Sequence, residues 1–167
     1  MLRRLSITVA AGVVLSVAPA VAGLRTAPSF SVPFPCGQTW TGATRTSHRP
    51  PHAIDFNRPG DEGDLVVASA PGTVVVAEPE HASYGGVVVV DHGDGWETYS
   101  AHLATVTVAV GDTVARAEAI GTVGDTGRSE GPHLHYEQRL HGRPMRTVFQ
   151  ARETPSQAVR TFRTAAC

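Results

Sequence analysis

"GDLVVASAPGTVVVA", residues 63–77, returns further along the chain as "GDTVARAEAIGTVGD", residues 111–125. Both copies open on Gly-Asp-x-Val, run through a short apolar stretch and close on Gly-Thr-Val. The stretches around them are alike in kind: "GGVVVVDH", "WETYSAHL", "TVTVAVGDTVA" and "HLHYEQRL" are short, Val-rich and bounded by Gly, Pro and Asp. Such runs read as β-strands separated by turns, and "DHGDGW" (91–96) carries an Asp-Gly hairpin signal. Helical periodicity is scarce, with "SQAVRTF" (156–162) the segment most compatible with a helix. The pattern predicts an all-β, mainly antiparallel fold, a barrel-like β-sandwich with little helix.

A doubled, hammer-shaped β unit is also the build of biotinyl and lipoyl carrier domains, which attach their cofactor to a lysine. All 14 Lys+Arg residues here are arginines, so no residue exists to modify. The formal net charge is −1 and no basic block occurs, which argues against capture of nucleic acid or of an anionic membrane surface.

The opening "MLRRLSITVAAGVVLSVAPAVAG" reads as a secretory signal peptide over residues 1–22. It has Arg3 and Arg4 at the basic end, an apolar run from Leu5 to Val17, and a small-x-small site at Ala20-Val21-Ala22. The run is too short for a convincing membrane span, so no span is expected after cleavage. Residues 23–35, spaced by Pro and Ser, read as an extended lead-in, and 36–167 as one domain. The two cysteines, Cys36 and Cys167, stand near the ends of the expected mature chain. In an oxidising compartment they are expected to pair.

Histidines carry the chemical signal. In "GPHLHYE" (131–137), strand alternation puts His133 and His135 on one face and Leu134 and Tyr136 on the other. Imidazoles and carboxylates are zinc donors, and catalytic zinc sites keep one position open. "SHRPPHAIDF" (47–56) adds Asp55 between Ile54 and Phe56, with His48 and His52 upstream, and "ETYSAHL" (97–103) adds His102. No His-Glu-x-x-His helix and no Gly-x-Ser-x-Gly elbow is present, which sets aside the glutamate-base metalloprotease design and a serine nucleophile. His81, His92 and His141 read as structural or exposed. Asp125 and Glu137 are candidates to orient a ligand imidazole, Glu137 the better because it shares the face of His133 and His135. Tyr84 and Tyr99 read as packing residues.

Taken in order, the Asp-Phe after the first histidines, Tyr-x-Ala-His-Leu and Gly-Pro-His-Leu-His make residues 45–142 similar to the lysostaphin-type zinc metallopeptidases. These are bacterial murein endopeptidases, and the likeness is greatest to small secreted actinobacterial members. The resemblance implies the duplicated hybrid motif fold, with Zn2+ as cofactor. It also implies Asp55 and His135 as metal ligands and His102 and His133 as the catalytic pair. The usual first ligand lies four residues before the aspartate, where this chain has Pro51. His52 stands at an odd offset that aims it at the opposite face of an extended strand. His48, in "HRP", is the preferred third ligand. The implied activity is hydrolysis of peptide cross-links in peptidoglycan by a secreted, cell-wall-located monomer. The alternative is a non-catalytic wall-binding or amidase-activating relative of the same fold.

Overall fold

The structure is a computed structural model and describes residues 27–44, 49–150, 152–153 and 158–165. The expected signal peptide, His48 and Cys167 lie outside the described residues. Thirteen strands are formed: β1 Thr39–Ala43, β2 Ile54–Asn57, β3 Leu65–Val67, β4 Gly72–His81, β5 Gly85–Asp91, β6 Trp96–Val106, β7 Thr113–Val114, β8 Ala119–Val123, β9 Leu134–Leu140, β10 Arg143–Met145, β11 Val148–Phe149, β12 Arg152–Glu153 and β13 Val159–Arg163. Every pairing is antiparallel, and the described residues contain no helix. The main sheet runs β13-β1-β2-β9-β6-β5-β4-β7, with β8 joining β6 to β3 and β10 lying beside β9.

The sequence echo becomes a reciprocal clasp. In β3 and β8, Leu65 faces Thr122 and Val66 faces Gly121. In β4 and β7, the equivalent residues Thr113 and Thr73, and Val114 and Gly72, face each other. Thus the Gly-Asp-x-Val of each copy pairs with the Gly-Thr-Val of the other. The flanking bonds repeat as well: Gly63 N–H donates to Val123 O (2.8 Å) and Val123 N–H to Asp64 O (2.8 Å), while Gly111 N–H donates to Val74 O (2.9 Å) and Val74 N–H to Asp112 O (2.8 Å).

The core lies on one face of this sheet, built from Ile54, Phe56, Leu134, Tyr136, Val88, Val90, Leu103 and Trp40. The opposite face carries a smaller apolar cluster of Val87, Val89 and Ala101, flanked by Tyr84 and Tyr99. This two-sided cover explains why β5 is buried at almost every position and reads as an unbroken valine run rather than an alternating one.

Two expectations change. The described part of the SQAVRTF segment yields a strand: β13 zips onto β1 from Thr39↔Arg163 to Ala43↔Val159. The β1 edge offers main-chain partners that a short exposed helix would lack. The lead-in is more than a lead-in, because Phe30, Val32 and Phe34 are buried in the core. Phe34 stacks on Trp40 with ring centroids 3.5 Å apart, and Val67 N–H donates to Pro33 O at 3.0 Å. The aromatic content of "SFSVPFP" was its signal.

Candidate active site

Three neighbouring strands, β2, β9 and β6, carry the candidate residues on the face away from the core. Asp55 on β2 lies directly across from His135 on β9, and His135 directly across from Ala101 on β6. His133 stands just before β9, tied back by a bridge to Gly124 and by its N–H to Gly124 O at 3.2 Å.

His102 arrives by a different device. Tyr99 and Ala101 pair with Glu137 and His135, so strict alternation would turn His102 into the core and Leu103 toward the site. Between the Val88↔Ser100 and Gly86↔Leu103 pairs, however, Ala101 and His102 together oppose the single residue Val87. His102 takes a left-handed φ of 62°. This bulge re-aims the imidazole to the site face and returns Leu103 to the core. A non-glycine residue at positive φ is strained. The His102 N–H donates to Tyr84 O at 2.8 Å, which helps hold the turn.

The two outer histidines are fixed in the same tautomer. His102 Nδ1 is 2.8 Å from Thr126 O and His133 Nδ1 is 2.8 Å from Gly131 O. A carbonyl only accepts, so each Nδ1 carries a proton and Nε2 is the nitrogen each ring turns to the cavity. The rings are 4.7 Å apart between centroids. Burial pushes the His102 imidazole below its ordinary value, the repulsion of His133 and His135 adding to it against the pull of the Thr126 carbonyl and Asp55. Asp125 does not touch an imidazole: its Oδ1 accepts from Gly131 N–H at 3.0 Å and so shapes the loop that holds His133.

His135 is clamped from both sides. Its Nδ1 is 3.1 Å from Asp55 Oδ1 and its Nε2 is 3.0 Å from Glu137 Oε1. Glu137, 1% exposed, also accepts from Tyr84 Oη–H at 2.8 Å and from Arg139 Nε at 2.7 Å. Arg139 donates to Tyr84 Oη at 2.9 Å and lies over the Tyr99 ring, 3.9 Å from its centroid. Tyr84 and Tyr99 therefore pack around the Glu137–Arg139 pair behind His135. Desolvation would lower His135, but the bonds to Asp55 and Glu137 outweigh it and take the metal-free imidazole up to about 9. Asp55, His102, His133 and His135 all line one cavity of about 840 Å3, together with Arg49, Asn57, Ser83, Tyr84, Arg128 and Glu130.

Residues 49–147, which carry this cavity, match the family model of Peptidase family M23. The chain belongs to peptidase family M23. Among relatives of this M23 domain, the DD-carboxypeptidase/endopeptidase Mpg of Neisseria meningitidis is 45% identical over 102 residues, which is 61% of this chain and 23% of that protein. The M23 domain thus spans less than a quarter of that relative's length. A zinc containing peptidase from Vibrio cholerae superposes with a TM-score of 0.56 at 28% identity, covering 72% of this chain and 39% of that one. The catalytic domain of lysostaphin from Staphylococcus simulans superposes at 0.51 and 28% identity, covering 67% and 77%.

M23 membership implies a metal, and the donors can be tested for fit. A carboxylate oxygen and an imidazole nitrogen 3.1 Å apart are a few tenths of an ångström closer than the roughly 3.3–3.6 Å between two donors on one tetrahedral ion with bonds of about 2.0–2.2 Å, so a small separation of the pair would admit the ion. The Glu137 bond on Nε2 leaves Nδ1 as the ligating edge of His135. Among the described residues, no group of three or more His, Cys, Asp and Glu side chains meets a metal-holding arrangement. His52 sits in a turn at φ 74° and is not part of the cavity wall, whereas Arg49, the neighbour of His48, is. His92 is structural, bonded to Pro71 O (2.9 Å) and Thr98 Oγ1 (2.8 Å).

Proposed function

We propose that this M23 domain is a secreted zinc metalloendopeptidase that hydrolyses peptide cross-links of bacterial peptidoglycan. One observation carries the reading. Two histidines anchored through Nδ1 share a cavity with an Asp55–His135 donor pair, and His133 Nε2 points at that pair, 3.7 Å from Asp55 Oδ1. The zinc would be held by Asp55, His135 and His48. When bound, it supplies a Lewis acid that acidifies water and polarises the scissile carbonyl.

The chain's own residues do the rest. His102, kept neutral by burial, accepts a proton at Nε2, and the imidazolium so formed is steadied by its Nδ1–H bond to Thr126 O. His133, with the same tautomer and 4.7 Å away, shares the return of that proton to the leaving amine and the stabilisation of the oxyanion. Glu137 holds His135 in its ligating orientation. Asn57, Ser83 and Gly131 line the same cavity of about 840 Å3 and would border a bound peptide.

Peptidoglycan as substrate rests on family membership and on the named activities of relatives. Export rests on the residue 1–22 pattern. A Cys36–Cys167 disulfide is supported by Gly37 N–H donating to Ala165 O at 2.9 Å, which brings the chain beside Cys36 close to the residues just before Cys167.

The test is metal analysis and wall digestion on purified protein. About one zinc per chain and chelator-sensitive release of wall peptides are expected, both lost in His135→Ala. Undiminished digestion by that variant would refute the proposal. Wall binding without digestion would favour the non-catalytic alternative.

A further inference from the structure

Among the described residues, two arginines are held in ion pairs. Arg58 makes a double bond to Asp64 at 2.6 and 2.7 Å, and Arg139 is held by Glu137 and Tyr84. Arg49 and Arg128 are different. Both line the cavity, both are exposed, and neither side chain has a hydrogen-bond or ion-pair partner among the described residues.

The Arg128 backbone is not loosely placed. Its N–H donates to Ser83 O at 2.9 Å, and the neighbouring Gly127 runs so close to Gly85 that an added Cβ would strike the Gly85 backbone. Two residues before it, Thr126 holds His102 through its carbonyl, accepts from Gly86 N–H at 2.9 Å and donates its hydroxyl to Leu103 O at 2.8 Å. The base of the Arg128 side chain is therefore fixed relative to the catalytic imidazole. Arg49 stands on another segment of the same wall. Of the acidic residues in the cavity, Asp55 is engaged by His135, and Glu130 is exposed on the Arg128 loop.

We propose that Arg49 and Arg128 form a carboxylate-binding subsite, so that the enzyme selects peptides bearing a free carboxylate beside the scissile bond over their amidated or neutral counterparts. A guanidinium presents a planar fork of donors that matches a carboxylate, and a carboxamide cannot replace that charge-assisted pair. This deepens the cross-link hydrolase reading and rests on it. It names the chemical class of cross-link that the groove takes, one with an ionised carboxyl group rather than a run of neutral residues.

The experiment uses two synthetic cross-linked peptides that differ only in a carboxylate or a carboxamide on the residue flanking the cut bond. Hydrolysis by the zinc-loaded full domain and equilibrium binding by calorimetry are both measured. Wild type is expected to favour the acid by about tenfold in kcat/KM, mainly through KM, as one charge-assisted contact provides. Arg128→Gln and Arg49→Gln should each move the acid-to-amide ratio toward one, and Arg128→Lys should restore part of it. A wild-type ratio of one, or a preference that survives both glutamine variants, overturns the subsite while leaving the hydrolase reading intact. If neither peptide is cut yet the acid binds preferentially in an Arg128-dependent way, the subsite stands and the hydrolase reading falls.

Discussion

Replacing Arg139 by methionine keeps the apolar stem of the side chain and removes its guanidinium. Arg139 is the permanent cation on a carboxylate that is 1% exposed, bonded at 2.7 Å, with its own side chain 19% exposed. Burial pushes Glu137 up, but the hydrogen bonds from His135 and Arg139 outweigh it and hold the carboxyl below its ordinary value. Breaking one side of a buried pair costs about 3–5 kcal/mol, because the other charge stays behind uncompensated. For a domain of this size that is about 10–15 °C in Tm. The damage extends to the metal: with Glu137 free to turn, the His135 tautomer loses its guide, and zinc affinity should fall about 10–100-fold. Thermal unfolding with and without zinc, and competition against a chelating dye, read both effects. The double variant Arg139→Met with Glu137→Gln removes the stranded charge and should recover at least half of the lost Tm. A single variant that melts and binds zinc like wild type, or a double variant no better than the single, would refute the reasoning.

His102→Ala and His133→Ala should each retain zinc yet lose about 10²–10⁴-fold in turnover; loss of zinc in either would move that residue into the ligand set. In the metal-free protein the raised His135 contributes stability that is fully present below its ordinary value and disappears as pH climbs through about 9. Zinc must displace that proton, so loading at neutral pH should release close to one proton and weaken about tenfold for each unit of acidification in that window. Calorimetry in buffers of different ionisation enthalpy checks this, and proton-neutral loading would contradict it. At Gly124 an added Cβ would run into the Ala104 backbone. Gly124→Ala should therefore destabilise by about 1–3 kcal/mol and, by shifting the bridge to His133, lower turnover more than zinc affinity. Unchanged kinetics would show that the bridge does not position His133.

The strand content and the doubled unit were legible because valine runs and Gly/Asp turns are local signals. So was the shared face of His133, His135 and Glu137, since β9 is regular from Leu134 to Leu140. His102 was identified by its motif and not by its periodicity. Its face depends on a bulge whose extra residue is counted only against β5, a relation between strands that no single segment contains. The place of Val159–Arg163 was hidden for the same reason: its strand state comes from the β1 edge, not from its own weak pattern. Phe30 and Phe34 needed only a reading of aromatics over prolines. Arg139 had no local signal at all, since its role exists only once Tyr84 and Tyr99 have been brought beside β9.

The reciprocal clasp sets an order on assembly. Neither copy of the repeat can complete its hydrogen bonding alone, because the partner edge of each belongs to the other, and β1 waits for β13 on one side. A chain growing or emerging from its N-terminus cannot close this sheet step by step, and pairings so far apart in sequence are slow to form. The cavity floor, which borrows from β2, β6 and the Gly124–His133 bridge, depends on the same long-range closures.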